Sequence, residues 1–168
     1  LTVVEPTSNG IGGDAFAIVY MNKKIHGLNA SGKSPASLSL EALKGKGFDA
    51  MPTFGLEPVT VPGVPSAWAA LSERFGNLSL SEGLEPAARF AEEGYAVSPS
   101  VAKGWKRAFA KYDNVLTDEK FKPFFDTFTF DNKAPESGDI VTLEDHAKTL
   151  RLIGKTKGEA FYKGVLAD

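Results

Sequence analysis

The apolar residues of this chain change period once, near Pro65, and that change limits the available folds more than any single motif does. Upstream they alternate or cluster in short β-branched runs broken by glycine and proline; downstream they recur every three or four residues. A chain patterned this way is expected to be α+β or layered α/β, with antiparallel strands first and a mainly helical region after them. Its 168 residues suit one domain. Because Leu1-Thr2-Val3-Val4 already lies inside a strand-like run, residues 1–168 are read as a single partial domain of something longer.

Local signals refine the pattern. Residues 2–5 and 16–21 read as strands, Asn22-Lys23-Lys24 as a polar turn, and residues 25–29 as the returning arm of a hairpin. Residues 29–39 form a polar loop of the kind that often carries a site. Residues 40–43 read as a helical turn, and the Gly- and Pro-rich stretch 45–65 as extended chain. The stripe Val64, Trp68, Leu71, Phe75 then predicts a core-facing helix stopped by Gly76. A second helix is expected over 84–93, with Leu84, Ala87, Ala88 and Ala91 on one side, Pro86 near its start and Gly94 as its stop. A third covers 98–112, with Val101, Trp105, Phe109 and Tyr112 opposite Lys103, Lys106, Arg107 and Lys111. The run from Phe121 to Phe130 carries five phenylalanines and must be packed against something. The last long helix spans 143–157, with Glu144 and Asp145 at its positive end.

Composition closes off several functions. The 19 basic and 21 acidic residues give no field that would draw nucleic acid or anionic lipid. No apolar run approaches the roughly 20 residues of a membrane span. Without cysteine there is no thiol nucleophile or thiolate zinc site. His26 and His146 have no partners at metal spacing, and no cofactor is called for.

Two glycine clusters need weighing. Gly10-Ile11-Gly12-Gly13-Asp14-Ala15 fits a loose dinucleotide fingerprint, but a strand follows where a helix should open, and no acidic residue lies in Ala30-Ser31-Gly32-Lys33-Ser34-Pro35. A glycine turn with positive φ, or a close approach of bare backbone at Gly12 and Gly13, is preferred. Gly32-Lys33-Ser34 imitates a phosphate loop, yet Pro35 follows and no helix receives the phosphate. No serine occupies a Gly-x-Ser-x-Gly elbow. A non-catalytic interaction module, engaging a partner through the hairpin edge and the Phe-rich stretch, is the alternative to an enzyme.

The order of several words along the chain resembles the γ-glutamyltranspeptidase and cephalosporin-acylase-like family. They are Val3-Val4-Glu5-Pro6 leading into Ser8-Asn9-Gly10-Ile11-Gly12-Gly13, the 28–35 loop, Val61-Pro62-Gly63-Val64-Pro65, Leu84-Glu85-Pro86-Ala87, Glu93-Gly94-Tyr95-Ala96-Val97-Ser98, Gly138-Asp139, and Leu150-Arg151-Leu152-Ile153 through Ala160-Phe161-Tyr162. The resemblance implies an N-terminal-nucleophile hydrolase of αββα layering, made as a precursor that cuts itself into two subunits. This chain would be the N-terminal to middle portion of the large one. The nucleophile implied is a threonine freed at the start of the small subunit, with its own α-amino group as base. No residue here takes that role, so the chain alone is expected to be inactive, its partner being the rest of its precursor and its substrate a small amide or γ-glutamyl compound. True transpeptidases carry an Arg-Glu pair in the loop that aligns with residues 28–35; here those positions are Ser31 and Gly32. A serine cannot replace a planar five-donor cation on a donor carboxylate, although Lys33 offers a point charge. Asn29, Ser31 and Lys33 are the expected wall residues of the substrate cleft.

Overall fold

The computed structural model describes residues 1–168. They form two compact units, Ile11–Asn77 and a second made of Leu1–Gly10 with Leu78–Asp168. The secondary structure is α+β in the expected order, an antiparallel hairpin followed by helices.

In the first unit, β1 (Ala15–Met21) pairs antiparallel with β2 (Lys24–Ala30), placing Val19 opposite His26 and Phe16 opposite Asn29. Asn22 and Lys23 both take positive φ, 51° and 61°, the two-residue turn whose twist matches the strands it joins. The side chains of Ala15, Ala17 and Val19, with His26, Leu28 and Ala30 opposite, make the half-buried face, and α2 (Val64–Phe75) packs against the hairpin. The ring of Phe75 lies 5.2 Å from that of His26, whose Nδ1 is 2.8 Å from Arg74 Nη2. Val64, Pro65 and Ala67 are buried, and Pro65 sits in the first turn of α2, where its missing N–H costs nothing. The short α1 (Leu40–Gly45) is capped by the Ser39 hydroxyl and buries Leu43. The other face of the hairpin is open: Phe16, Ile18, Tyr20 and Ile25 are 69–82 % exposed.

In the second unit, α3 (Leu80–Glu93) lies along α6 (Glu144–Lys155). Small residues let the two helices approach: Ala88, Ala91 and Ala147 are fully buried beside Leu150 and Ile153, and a Cβ at Gly154 would stand 2.9 Å from the Ser81 Cα. Arg151 ties them from the outside, donating to both carboxylate oxygens of Glu85 and of Glu92 at 2.7–3.2 Å. These hydrogen bonds, ahead of the charge itself, hold both carboxyls below the ordinary glutamate range. A two-strand ladder of β3 (Tyr95–Ala96) and β4 (Ile140–Val141) follows the end of α3. Gly94 makes the bend at φ 93°, where a Cβ would press on the Ile140 Cγ2 at 2.7 Å.

Next, α4 (Pro99–Val115) starts at a Ser98 cap and buries Val101 and Trp105. The Phe-rich segment is a 3-10 turn, Glu119–Phe121, followed by α5 (Lys122–Phe128). Its rings turn inward: Phe125 meets Phe109, Phe124 meets Tyr112, and Trp105 donates its indole N–H to the Phe128 carbonyl at 2.8 Å. The short α7 (Glu159–Tyr162) ends the order.

Three expectations need correction. Residues 2–5 are not a strand; Glu5 N–H donates to the Leu1 carbonyl at 2.8 Å, a turn that buries Val3. The second helix begins at Leu80, not at Leu84, with Pro86 inside it. Its start is fixed by a capping box in which the Ser79 hydroxyl accepts from the Glu82 N–H while the Glu82 carboxylate accepts from the Ser79 N–H. Gly10, Gly12 and Gly13 take no positive φ.

Candidate functional site

The polar loop after β2 is built by backbone crossings that only glycine permits. At Gly32 an added Cβ would fall 1.6 Å from the Val61 carbonyl oxygen, and at Gly63 it would fall 1.8 Å from that of Ala30. Two segments far apart in sequence therefore touch backbone to backbone at both points. Val61 N–H donates to the Lys33 carbonyl at 2.9 Å, and the Gly63 and Val64 N–H groups both donate to the Gly13 carbonyl, at 3.0 and 3.1 Å. Close backbone approach is thus real in this fold, at Gly32 and Gly63 and at the Gly13 carbonyl that two backbone N–H groups reach. Gly12, expected to need it, has nothing within 4 Å of its missing Cβ.

Asp14, which closes the glycine cluster and precedes β1, completes the arrangement. Its Oδ1 accepts from the Gly32 N–H at 2.9 Å and from the Thr60 hydroxyl at 3.3 Å. One carboxylate oxygen so joins three segments.

The three expected wall residues lie together here, all exposed. Asn29, one residue before the end of β2, lies opposite Phe16, and its Oδ1 accepts from the Ser31 N–H at 2.8 Å in a local Asx-type turn. It also lines a shallow apolar groove with Phe16, Ile18, Gly27 and Leu28. The Ser31 hydroxyl and the Lys33 ammonium engage no other side chain of the chain, whereas the backbone on either side of them is tied down. The loop therefore offers one hydroxyl and one ammonium from a fixed frame. It has no guanidinium and no carboxylate of its own. Sequence reading missed Asp14, Thr60 and Gly63 as members of this group. The signals were there: an acid directly after the glycines, and a glycine in Val61-Pro62-Gly63.

His26 is engaged by Arg74, and half-buried His146 lies against the Phe128 ring at 5.6 Å, where desolvation pushes its pKa below the ordinary histidine value. A cavity of about 110 Å³ opens between α4 and α5, lined chiefly by Trp105, Phe109, Tyr112, Phe124 and Phe128. Strand β1, not a helix, follows the first glycine cluster, and Pro35 is followed by turn and extended chain before α1 begins at Leu40, so neither nucleotide motif has its helix. No helix is long and apolar enough to cross a membrane.

Comparison with known proteins gives the family. A family model described as gamma-glutamyltranspeptidase matches residues 1–168. The glutathione hydrolase-like YwrD proenzyme of Bacillus subtilis is 34% identical over 100% of this chain and 31% of its own length. The crystal structure of a cephalosporin acylase from Bacillus halodurans superposes with a TM-score of 0.94 at 52% identity, covering 98% of this chain and 31% of that one. That of the Helicobacter pylori gamma-glutamyltranspeptidase gives 0.85 at 28% identity, over 99% of this chain and 48% of that one. The present chain thus spans less than a third of the length of the curated relatives it matches, 31% and 28% of two of them. With its whole length matched and its hairpin and helices in the expected order, the chain belongs to the gamma-glutamyltranspeptidase family.

Proposed function

We propose that the parent polypeptide hydrolyses or transfers an acyl group, γ-glutamyl or related, from an amide through an acyl-threonine intermediate. The nucleophilic threonine lies outside these residues, at the start of a small subunit released by self-cleavage. Residues 1–168 are then the N-terminal to middle part of the large subunit, supplying a hairpin of the sheet, covering helices and one wall of the cleft. The threonine hydroxyl adds to the amide carbonyl while the threonine α-amino group takes its proton and passes it to the leaving nitrogen. The C–N bond breaks, leaving an acyl ester. Water or an acceptor amine then adds to the ester and frees the threonine.

The observation that carries this reading is the match to a cephalosporin acylase at 52% identity over 98% of this chain. The hairpin adds support. A two-stranded ribbon is marginal alone, and a continuous apolar face of Phe16, Ile18, Tyr20 and Ile25 calls for cover, as αββα layering by the remainder of the precursor would give. The interaction-module alternative loses half its footing, because the phenylalanines it relied on are packed within the chain.

At the wall, Asn29, Ser31 and Lys33 meet the acyl group of the donor. Ser31 in place of an arginine weakens the grip on an α-carboxylate, which favours donors of the acylase branch over glutathione. The test is turnover of γ-glutamyl- and glutaryl-p-nitroanilide by the parent enzyme. Removing the small-subunit threonine is expected to abolish release of nitroaniline, and Ser31→Ala and Lys33→Ala to raise KM with little change in kcat. Equal rates without the threonine refute the mechanism, and an unchanged KM in both wall variants refutes the wall.

A further inference from the structure

We propose that Asp14 is the positioning residue of this wall, holding Ser31 and Lys33 in the single geometry in which they meet the acyl group. The inference rests on the reading of the loop as a cleft wall and names what keeps that wall in register.

The group that presents a ligand contact must be rigid, or the ordering is charged against binding each time. Ser31 and Lys33 are exposed and have no packing to fix them. What fixes their backbone is hydrogen bonding on each side: the Asn29 side chain receives the Ser31 N–H, Asp14 receives the Gly32 N–H, and the Lys33 carbonyl receives the Val61 N–H. Two of these are reinforced by the glycine crossings, which leave no room for the loop to slide. Asp14 is the one side chain that joins both crossing segments, since Gly32 belongs to the loop and Thr60 to the strap that passes over it. A charged acceptor makes each of these bonds stronger than a neutral one. The same crossing dictates what the wall is made of. No side chain fits at position 32, so recognition at this point of the cleft falls to the hydroxyl and ammonium that flank it.

The roles of charge and of hydrogen bonding separate in two substitutions. Asp14→Asn keeps an oxygen that accepts from Gly32 and Thr60; Asp14→Ala keeps nothing. Thr60→Val removes one of the two donors with almost no change of volume. In the full-length processed enzyme, with glutaryl- and γ-glutamyl-p-nitroanilide as probes, Asp14→Ala is expected to raise KM about tenfold with kcat within about twofold. Asp14→Asn should restore KM to within about threefold of wild type, and Thr60→Val should fall between them. A purely structural role would lower melting temperature and active fraction in Asp14→Ala while leaving KM of the surviving enzyme unchanged, and that result overturns the proposal. An Asp14→Asn enzyme as impaired in KM as Asp14→Ala also overturns it. If Asp14→Ala does not yield folded enzyme, Thr60→Val decides alone: KM raised about threefold supports the proposal, and KM unchanged defeats it. Should Ser31→Ala and Lys33→Ala leave KM untouched, the wall itself fails; should they raise it while the Asp14 and Thr60 variants do not, only the positioning role fails.

Discussion

Substituting alanine for Gly63 sets the backbone crossing against the ordinary behaviour of glycine. The new Cβ would lie 1.8 Å from the Ala30 carbonyl oxygen and 2.7 Å from its carbon. Neither atom can rotate away, because Ala30 is the last paired residue of β2. One segment must withdraw by more than 1 Å, since a Cβ contact under 3.0 Å is not tolerated, and the Gly63 and Val64 N–H bonds to the Gly13 carbonyl stretch or break with it. Two backbone bonds at about 0.5–1.5 kcal/mol each, with overpacking of about 1–3 kcal/mol, give a loss of about 2–6 kcal/mol. Gly83 is the internal control. It is an exposed glycine inside α3 with nothing within 4 Å, so Gly83→Ala is expected to gain up to about 1 kcal/mol of helix propensity. Urea unfolding of the parent enzyme, with amide hydrogen exchange read at residues 63 and 64, measures both. Wild-type protection at those amides in Gly63→Ala would refute the reasoning.

Other substitutions follow from single features. The Tyr95 hydroxyl is buried without a partner, and desolvation pushes its pKa up to about 12, so Tyr95→Phe is expected to leave stability unchanged or raise it by about 1 kcal/mol in urea unfolding. Glu85 and Glu92 have folded pKa values below their ordinary one; their contribution is complete above the unfolded value and is lost as pH falls through the folded ones. Arg151→Ala should therefore flatten the acid limb of a plot of melting temperature against pH, and an unchanged limb would show that the clamp is idle. Lys23 holds φ 61° in the hairpin turn, where glycine is unstrained, so Lys23→Gly should raise the melting temperature, by about 1 kcal/mol of stability at most.

Much of the fold was legible because its signals are local. The helix stops at Gly76 and Gly94, the Ser98 start and the inward stripe of Val101 and Trp105 all follow from residues within a turn or two of each other. The misses came where distant partners decide. Val3 and Val4 look like a strand, but strands need a neighbour, and here the segment closes on itself as a turn. Pro86 reads as a helix start because proline inside a helix costs about 3 kcal/mol. That cost is outweighed by the Ser79 capping box and by the burial of Ala88 and Ala91 against α6. At the candidate site, Asn29, Ser31 and Lys33 were legible as a polar loop in a family context. The frame beneath them was not, since the link from Asp14 to Gly32 spans 18 residues and that to Thr60 spans 46. Glycine spacing alone likewise gave no means of telling Gly12, which faces open space, from Gly32 and Gly63, which do not.

The most direct measurement concerns where the acyl group is carried. The parent enzyme is mixed with a slowly released acyl donor, quenched in acid, digested and mapped by mass spectrometry. The account predicts the added acyl mass on a peptide that begins with the small-subunit threonine, and none on any peptide from residues 1–168. An adduct on Ser31, or on any other hydroxyl within these residues, would contradict it.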